Sequence, residues 1–367
     1  MLILALGCSR PAPQEPPPPE EVVRPDDPAA PAVPVGVRTE SVGELTVEVW
    51  YPAAELHRGE AGEDVDFGQW LPSSVTEVLG SLTLAAIPSV AVRDAALRDA
   101  GEPFPVVIFS HGFGGTRAQS VTLTTHWASR GFVVVATDHR GRSMPDLLPC
   151  LFYPPLEGCE LDLLEDPGVA DVEALRAWLD SPPAWLADGV DPDHVALAGH
   201  SAGGGTTMTV GNVAEPTFTA LLPMAGGDAG TGATPTLRLS GSCDGIVPSS
   251  GSGLAHEAST AADTWVEVVG AGHLAFSDLC GLDLGAVAED VLLGRDDLNT
   301  VLVDSLVTLG TDGCAGYTPT VPDCGPPSTP EEADEALRGA TSAFLEGAVG
   351  GEAPLDPTGG YPLLRRP

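Results

Sequence analysis

Short apolar runs recur along the chain, each bounded by polar or turn-forming residues. Gly36 to Tyr51 alternates apolar and polar positions, as in Leu45-Thr46-Val47-Glu48-Val49-Trp50, which is strand periodicity, and stops at Tyr51-Pro52. Residues 53 to 103 read as loops and short helical pieces. Continuous apolar runs then mark buried strands at Val106–Phe109, Phe132–Ala136 and Val195–Ala198. Further strands are expected at Thr219–Met224, Pro235–Leu239 and Trp265–Val269. Helical spacing covers Gln119–Ser129, Val169–Leu179 and Glu331–Leu345. Strands alternating with helices predict an α/β fold: a mostly parallel central sheet with helices on both faces. Such a sheet gathers its chemistry in the loops at the carboxyl ends of the strands. Residues 281–327 form an acidic, glycine-rich insertion with an apolar, helix-like piece near Val301–Leu309.

The ends of the chain read differently. Leu2-Ile3-Leu4-Ala5-Leu6-Gly7-Cys8 is an apolar run closing on a small residue and a cysteine, and Pro11 to Pro34 is rich in Pro, Glu and Asp. That composition cannot bury a core and predicts an extended tether. Residues 1–35 therefore resemble a bacterial lipoprotein leader with a lipidated Cys8, although no basic segment precedes the apolar run and the run is short. The expected organisation is this leader, a domain over 36–350, and a flexible Gly/Pro-rich tail over 351–367. No other stretch is long and apolar enough to span a membrane.

Composition narrows the partners. Hydrophobic residues make up 43% of 367, enough for a sizeable core, while 52 Asp and Glu against 16 Lys and Arg give a net charge of −36. Every base is arginine. Such a surface repels phosphate backbones and anionic lipid, which argues against nucleic acid and electrostatic membrane docking. Setting Cys8 aside leaves Cys150, Cys159, Cys243, Cys280, Cys314 and Cys324, an even set that suggests disulfides in an extracytoplasmic compartment. The economical pairing is sequential: Cys150–Cys159, Cys243–Cys280 and Cys314–Cys324. No C-x-x-C occurs, so neither a zinc site nor a thioredoxin-like motif is expected.

One motif carries the chemistry. Gly199-His200-Ser201-Ala202-Gly203 follows the Val195 run and precedes a helix, the setting in which G-x-S-x-G turns sharply and lifts a serine hydroxyl off the sheet. A serine hydroxyl needs an adjacent base, and the base an orienting carboxylate. Counting strand ends after the elbow gives Asp244, in Cys243-Asp244-Gly245, and His273, in Gly270-Ala271-Gly272-His273. Ser201 is thus the expected nucleophile, His273 the general base and then acid, and Asp244 the residue that sets the histidine tautomer. Asp228, one strand earlier, is the alternative acid. His139 ends a strand on the correct side but precedes the elbow, His200 is expected to pack beneath it, and His57, His126, His194 and His256 read as ordinary surface or helix residues. An oxyanion hole needs two backbone donors, expected at Ala202 and at Phe113 in His111-Gly112-Phe113-Gly114-Gly115. The Phe113 ring could also line the acyl pocket.

Trp50-Tyr51-Pro52, Phe104 to Gly115, Gly131 to Gly141, the elbow, Asp244 and Gly272 to Asp278 together resemble the platelet-activating-factor acetylhydrolase-like serine hydrolases, neighbours of the cutinase-like polyesterases and dienelactone-hydrolase-like proteins. The likeness covers about 36–280 and the last helix. It implies an α/β-hydrolase fold, a Ser-His-Asp triad, hydrolysis of short-acyl esters, and no metal or other cofactor. Dienelactone hydrolases proper use cysteine, so Ser201 sets that reaction aside. Ala202 stands where related elbows often carry a bulkier residue, and 281–327 has no counterpart. A Cys243–Cys280 bridge would tie the acid loop to the base loop, as in some polyesterases. The expected protein is a secreted or lipid-anchored serine esterase acting on a small-molecule or lipid ester. A phospholipase A2-like lipase, a polyester hydrolase and a non-catalytic binding lipoprotein are the alternatives.

Overall fold

The computed structural model describes residues 27, 29–80, 84–161, 165–212, 217–230, 232–259, 263–287, 295–349, 356–358 and 361–366. Cys8 and the apolar run before it lie outside these residues.

The strands are β1 (Val35–Val42), β2 (Leu45–Pro52), β3 (Ala91–Arg93), β4 (Phe104–Ser110), β5 (Val133–Thr137), β6 (Val190–His200), β7 (Ala220–Met224), β8 (Thr236–Gly241), β9 (Asp263–Val268) and β10 (Leu364–Arg365). They form one sheet in the order β10-β9-β8-β7-β6-β4-β5-β2-β1-β3. Pairing is parallel from β9 through to β5, and antiparallel where β2 joins β5 and where β10 joins β9. The alternating run near the start is a hairpin rather than one strand, because Gly43 turns the chain at φ 60° between β1 and β2.

Helices α1 (Ser73–Leu79), α2 (Val121–Ser129), α3 (Met144–Leu147), α4 (Pro167–Trp178), α5 (Ala202–Gly211), α6 (Ser249–Ala258), α7 (Leu284–Val287), α8 (Thr300–Thr311) and α9 (Pro330–Ala348) complete the described fold. The apolar runs feed two cores, one on each face of the sheet. Val121, Trp127, Ala336 and Leu337 bring α2 and α9 onto one face, with Trp50, Phe109 and Val134 from the strands. Val172, Leu175 and Met208 bring α4 and α5 onto the other, with Val49, Ile108 and Val135. This alternation within each strand is the period-two rule at work. Trp127 Nε1 donates to Thr341 Oγ1 at 2.8 Å, satisfying the polar edge of a buried indole.

Two expectations about the ends are corrected. Ala29 and Val33, within the stretch read as a tether, are buried, and Arg130 Nη1 donates to the carbonyls of Asp27 and Ala30. Within the stretch read as a flexible tail, β10 pairs with β9 as an edge strand. In both cases a short segment of unpromising composition is held by backbone hydrogen bonding, which local composition does not report.

The chain runs β4 to β5 on one side, then crosses to β6 on the other side of β4. Ligands bind at such a switch point, beyond the carboxyl ends of the strands. Here the loop after β4 and the turn after β6 are thereby set side by side.

Candidate active site

Ser201 sits at the turn between β6 and α5 with φ 56° and ψ −118°, a conformation that costs a residue bearing a Cβ free energy. The flanking glycines permit it. A Cβ on Gly199 would lie 2.1 Å from the Gly203 carbonyl oxygen, and one on Gly203 would lie 1.9 Å from that of Ser110. Both glycines of the motif are thus demanded by close backbone approach. The Ser201 amide donates to the Met224 carbonyl at 2.9 Å, anchoring the turn to β7.

His273 Nε2 lies 2.8 Å from Ser201 Oγ, and its Nδ1 lies 2.9 Å from Asp244 Oδ2. The second oxygen of Asp244 accepts the amides of Ile246 and Val247 at 2.8 and 2.7 Å, which fixes the carboxylate's orientation. Asp244 and His273 are fully buried, whereas Ser201 keeps partial exposure. Asp228, the alternative acid, is exposed on the loop after β7.

The loop after β4 closes the other side. A Cβ on Gly112 would lie 3.1 Å from Ser201 Cβ, so the main chain leading into Phe113 packs closely against the Ser201 side chain. Ala202 is the first residue of α5, where an amide has no partner within the helix and the helix dipole is positive.

Supporting residues that motif reading did not find hold these loops together. Gln119 Oε1 accepts the Gly112 amide at 2.9 Å, and Gln119 Nε2 donates to His200 Nδ1 at 2.9 Å. His200 Nε2 in turn lies 3.0 Å from the His273 carbonyl, to which it must donate. Burial, with the neighbouring His273, holds the His200 imidazole well below the usual histidine range, so it stays neutral and serves as donor and acceptor at once. On the other side Arg142 reaches the Ser110 hydroxyl and the His111 carbonyl at 2.8 and 3.0 Å, and Thr206 on α5 at 2.9 Å.

A second Ser-His-Asp arrangement stands beside the first. His139 Nε2 lies 2.9 Å from Ser110 Oγ and its Nδ1 2.9 Å from Asp171 Oδ2. Ser110 is fully buried and also takes the Arg142 hydrogen bond, so it has no opening to a substrate. This cluster is a strut beneath the sheet end.

The disulfides correct the sequential pairing. Cys150–Cys159 forms as expected, but Cys243 pairs with Cys324 and Cys280 with Cys314. The segment around Cys324 folds back onto the acid loop, where Ser242 Oγ donates to the Cys324 carbonyl at 2.6 Å, and this brings the more distant cysteine to Cys243. The insertion is thereby stitched to both catalytic-side loops.

That insertion also shapes the cavity over Ser201. The cavity measures about 140 Å³ and is lined at one end by Ser201, His273, His200 and Gln119. Leucines and valines from α3, α7 and α8, among them Leu147, Leu284, Leu306 and Val307, line much of the remainder, with no Asp, Glu or Arg in the wall. Phe113 is also part of the lining. Among the described residues no group of three or more His, Cys, Asp or Glu is arranged to hold a metal ion, and no helix is long and apolar enough to cross a membrane.

The family model for platelet-activating factor acetylhydrolase, isoform II, matches residues 38–146, which hold most of β1, β2 to β5 and the loop after β4. The platelet-activating factor acetylhydrolase of Cavia porcellus is 32% identical over 97 residues, 22% of this chain and 22% of that protein. The chain thus matches about a fifth of that relative's length. A ferulic acid esterase from Streptomyces cinnamoneus superposes with a TM-score of 0.58 at 22% identity, covering 95% of this chain and 99% of that one. Its likeness is one of fold.

Proposed function

We propose that this chain, which has an α/β-hydrolase fold, is a serine esterase working through an acyl-enzyme. The observation that carries this reading is the relay from Asp244 through His273 to a Ser201 hydroxyl presented on a strained turn. In it, Ser201 Oγ adds to the ester carbonyl carbon as His273 Nε2 takes its proton. The amides of Ala202 and Phe113 receive the resulting oxyanion. Collapse expels the alcohol, which takes the proton from His273 and leaves the acyl group on Ser201. Water then repeats the sequence, with His273 as base, and releases the acid. Asp244 holds Nδ1 protonated throughout and stabilises the imidazolium.

The named relatives are both carboxylic ester hydrolases, one of platelet-activating factor and one of ferulic acid esters. The apolar cavity favours an uncharged apolar group beside the reacting carbonyl over a charged headgroup in that position. A binding protein that retains the fold without turnover is disfavoured by the completeness of the relay. The disulfides favour an oxidising, extracytoplasmic compartment. A tether through Cys8 is the finer form of that reading. Mass spectrometry of the mature N-terminus would show a diacylglyceryl modification on Cys8, and an unmodified Cys8 would oppose it.

Fluorophosphonate labelling combined with p-nitrophenyl butanoate hydrolysis tests the central reading. Wild-type protein should label at Ser201 and hydrolyse the ester, while Ser201→Ala should lose both at an unchanged Tm. Retained hydrolysis in that variant would mean a different nucleophile.

A further inference from the structure

Asp312 closes α8 in the insertion and is almost entirely buried. Its Oδ1 accepts the main-chain amide of His273 at 2.7 Å, and its Oδ2 accepts the amide of Gly245, the residue after Asp244, at 3.1 Å. Its own carbonyl accepts the Leu274 amide at 2.7 Å. One side chain therefore spans the loop bearing the base and the loop bearing the acid. The fit is close on both sides: a Cβ on Gly272 would lie 2.4 Å from Asp312 Oδ1, and one on Gly245 2.8 Å from Oδ2. The glycines before His273 and after Asp244 are thus the imprint of this carboxylate. Tyr317 Oη stands 2.8 Å from Oδ2 and 3.0 Å from the Cys243 carbonyl, backing the clasp from the same insertion. Burial and the Asp312 carboxylate push the Tyr317 phenol up, which keeps it a donor. The Cys280–Cys314 and Cys243–Cys324 bridges fasten the segment that follows Asp312.

We propose that Asp312 is a positioning residue for the catalytic relay: it sets the separation of the His273 and Asp244 loops and places a second buried negative charge beside the imidazolium that forms during turnover. Charge-assisted hydrogen bonds to two amides hold geometry more firmly than neutral ones. A buried carboxylate hydrogen-bonded to the base's own main chain also favours the charged form of that base. The groups facing His273 are Asp244 on its ring, neutral His200 with ring centroids 4.8 Å apart, and Asp312 with Tyr317 at its main chain. Asp278, and Asp334 on α9, belong to elements packed on the same turn but line a different cavity. This inference rests on the reading of Ser201 and His273 as nucleophile and base.

Asp312→Asn keeps the shape, removes the charge, and turns an amide group toward one of two donors. With p-nitrophenyl butanoate it should lower kcat about 10- to 100-fold with KM within about threefold, the range expected when a catalytic group is misplaced. The acidic limb of its kcat/KM profile should move to lower pH, because the imidazolium loses a stabilising charge. Tyr317→Phe removes no charge and should leave the acidic limb in place. If Asp312→Asn keeps the wild-type kcat and acidic limb, or loses activity only in step with its folded fraction by circular dichroism, the proposal is overturned. The catalytic reading itself would survive that result provided Ser201→Ala is inactive, so the two failures are distinguishable.

Discussion

Gln119 and His200 stand 81 positions apart in sequence and meet at 2.9 Å, amide donor to imidazole nitrogen. Because His200 reaches on to the His273 carbonyl and Gln119 reaches back to the Gly112 amide, a single chain of hydrogen bonds runs from the loop over Ser201 to the loop of the base. Gln119→Leu fills similar space but leaves the His200 Nδ1 and the Gly112 amide unpaired in a buried site. Each unpaired group costs about 1–3 kcal/mol. The variant should lose several degrees of Tm and about 10-fold or more in kcat, measured by thermal unfolding and ester hydrolysis. Wild-type kcat at a lowered Tm would show that the chain stabilises the fold without positioning the loops.

Arg130 on the rim of α2 and Glu346 on α9 form an ion pair at 2.5 Å with both side chains buried. The same guanidinium carries the Asp27 and Ala30 carbonyls, so it also docks the chain leading into β1. Removing one member of a buried pair strands the other charge, at a cost of about 3–5 kcal/mol. Glu346→Ala should therefore unfold at markedly lower denaturant, with hydrolysis per folded molecule unchanged. A midpoint equal to wild type in a urea titration would remove the pair's structural role.

Sequence legibility followed the range of the interactions. Ser201, Asp244 and His273 were readable because a turn motif and two strand ends each announce themselves locally. Gln119, Arg142 and Asp312 were not, because an isolated polar residue carries no mark of the partner it will meet across the fold. The disulfide partners failed for a related reason. Cys243 and Cys280 are neighbours in the order of the chain, but the insertion folds back between them and presents Cys324 to one and Cys314 to the other. The end strand β10 was hidden by the Gly/Pro-rich composition around it, since edge pairing asks little of side chains.

Half-buried Asp278 accepts the Thr122 amide at 2.8 Å near the start of α2, and burial pushes its carboxyl up from 3.8 to about 6. A carboxyl raised in the folded state binds more protons folded than unfolded. Its contribution is then fully present below about pH 4 and is lost as pH rises through about 6. Asp278→Asn is neutral throughout and retains an acceptor for the amide. Its stability relative to wild type should rise between pH 4 and pH 7.5, read as the difference in Tm across that range. A difference that stays flat would mean that Asp278 titrates like an exposed carboxyl.

On the proposed mechanism, the cavity over Ser201 sets the reach of the acyl chain. Its wall beyond the relay is mostly leucine and valine. Each methylene moved from water into such a wall contributes about 0.8 kcal/mol, or close to fourfold in kcat/KM when the gain is kept in the transition state. Across p-nitrophenyl esters, kcat/KM should climb from acetate to about the four- to six-carbon acids and then level, because longer chains must leave the enclosed space. Leu306 and Val307 on α8 supply the roof, so the insertion rather than the sheet decides where that levelling falls. Val307→Trp should bring the maximum down to acetate while sparing acetate hydrolysis within a few-fold. A chain-length profile unmoved by Val307→Trp would place the acyl group elsewhere and leave this cavity to the alcohol portion of the ester.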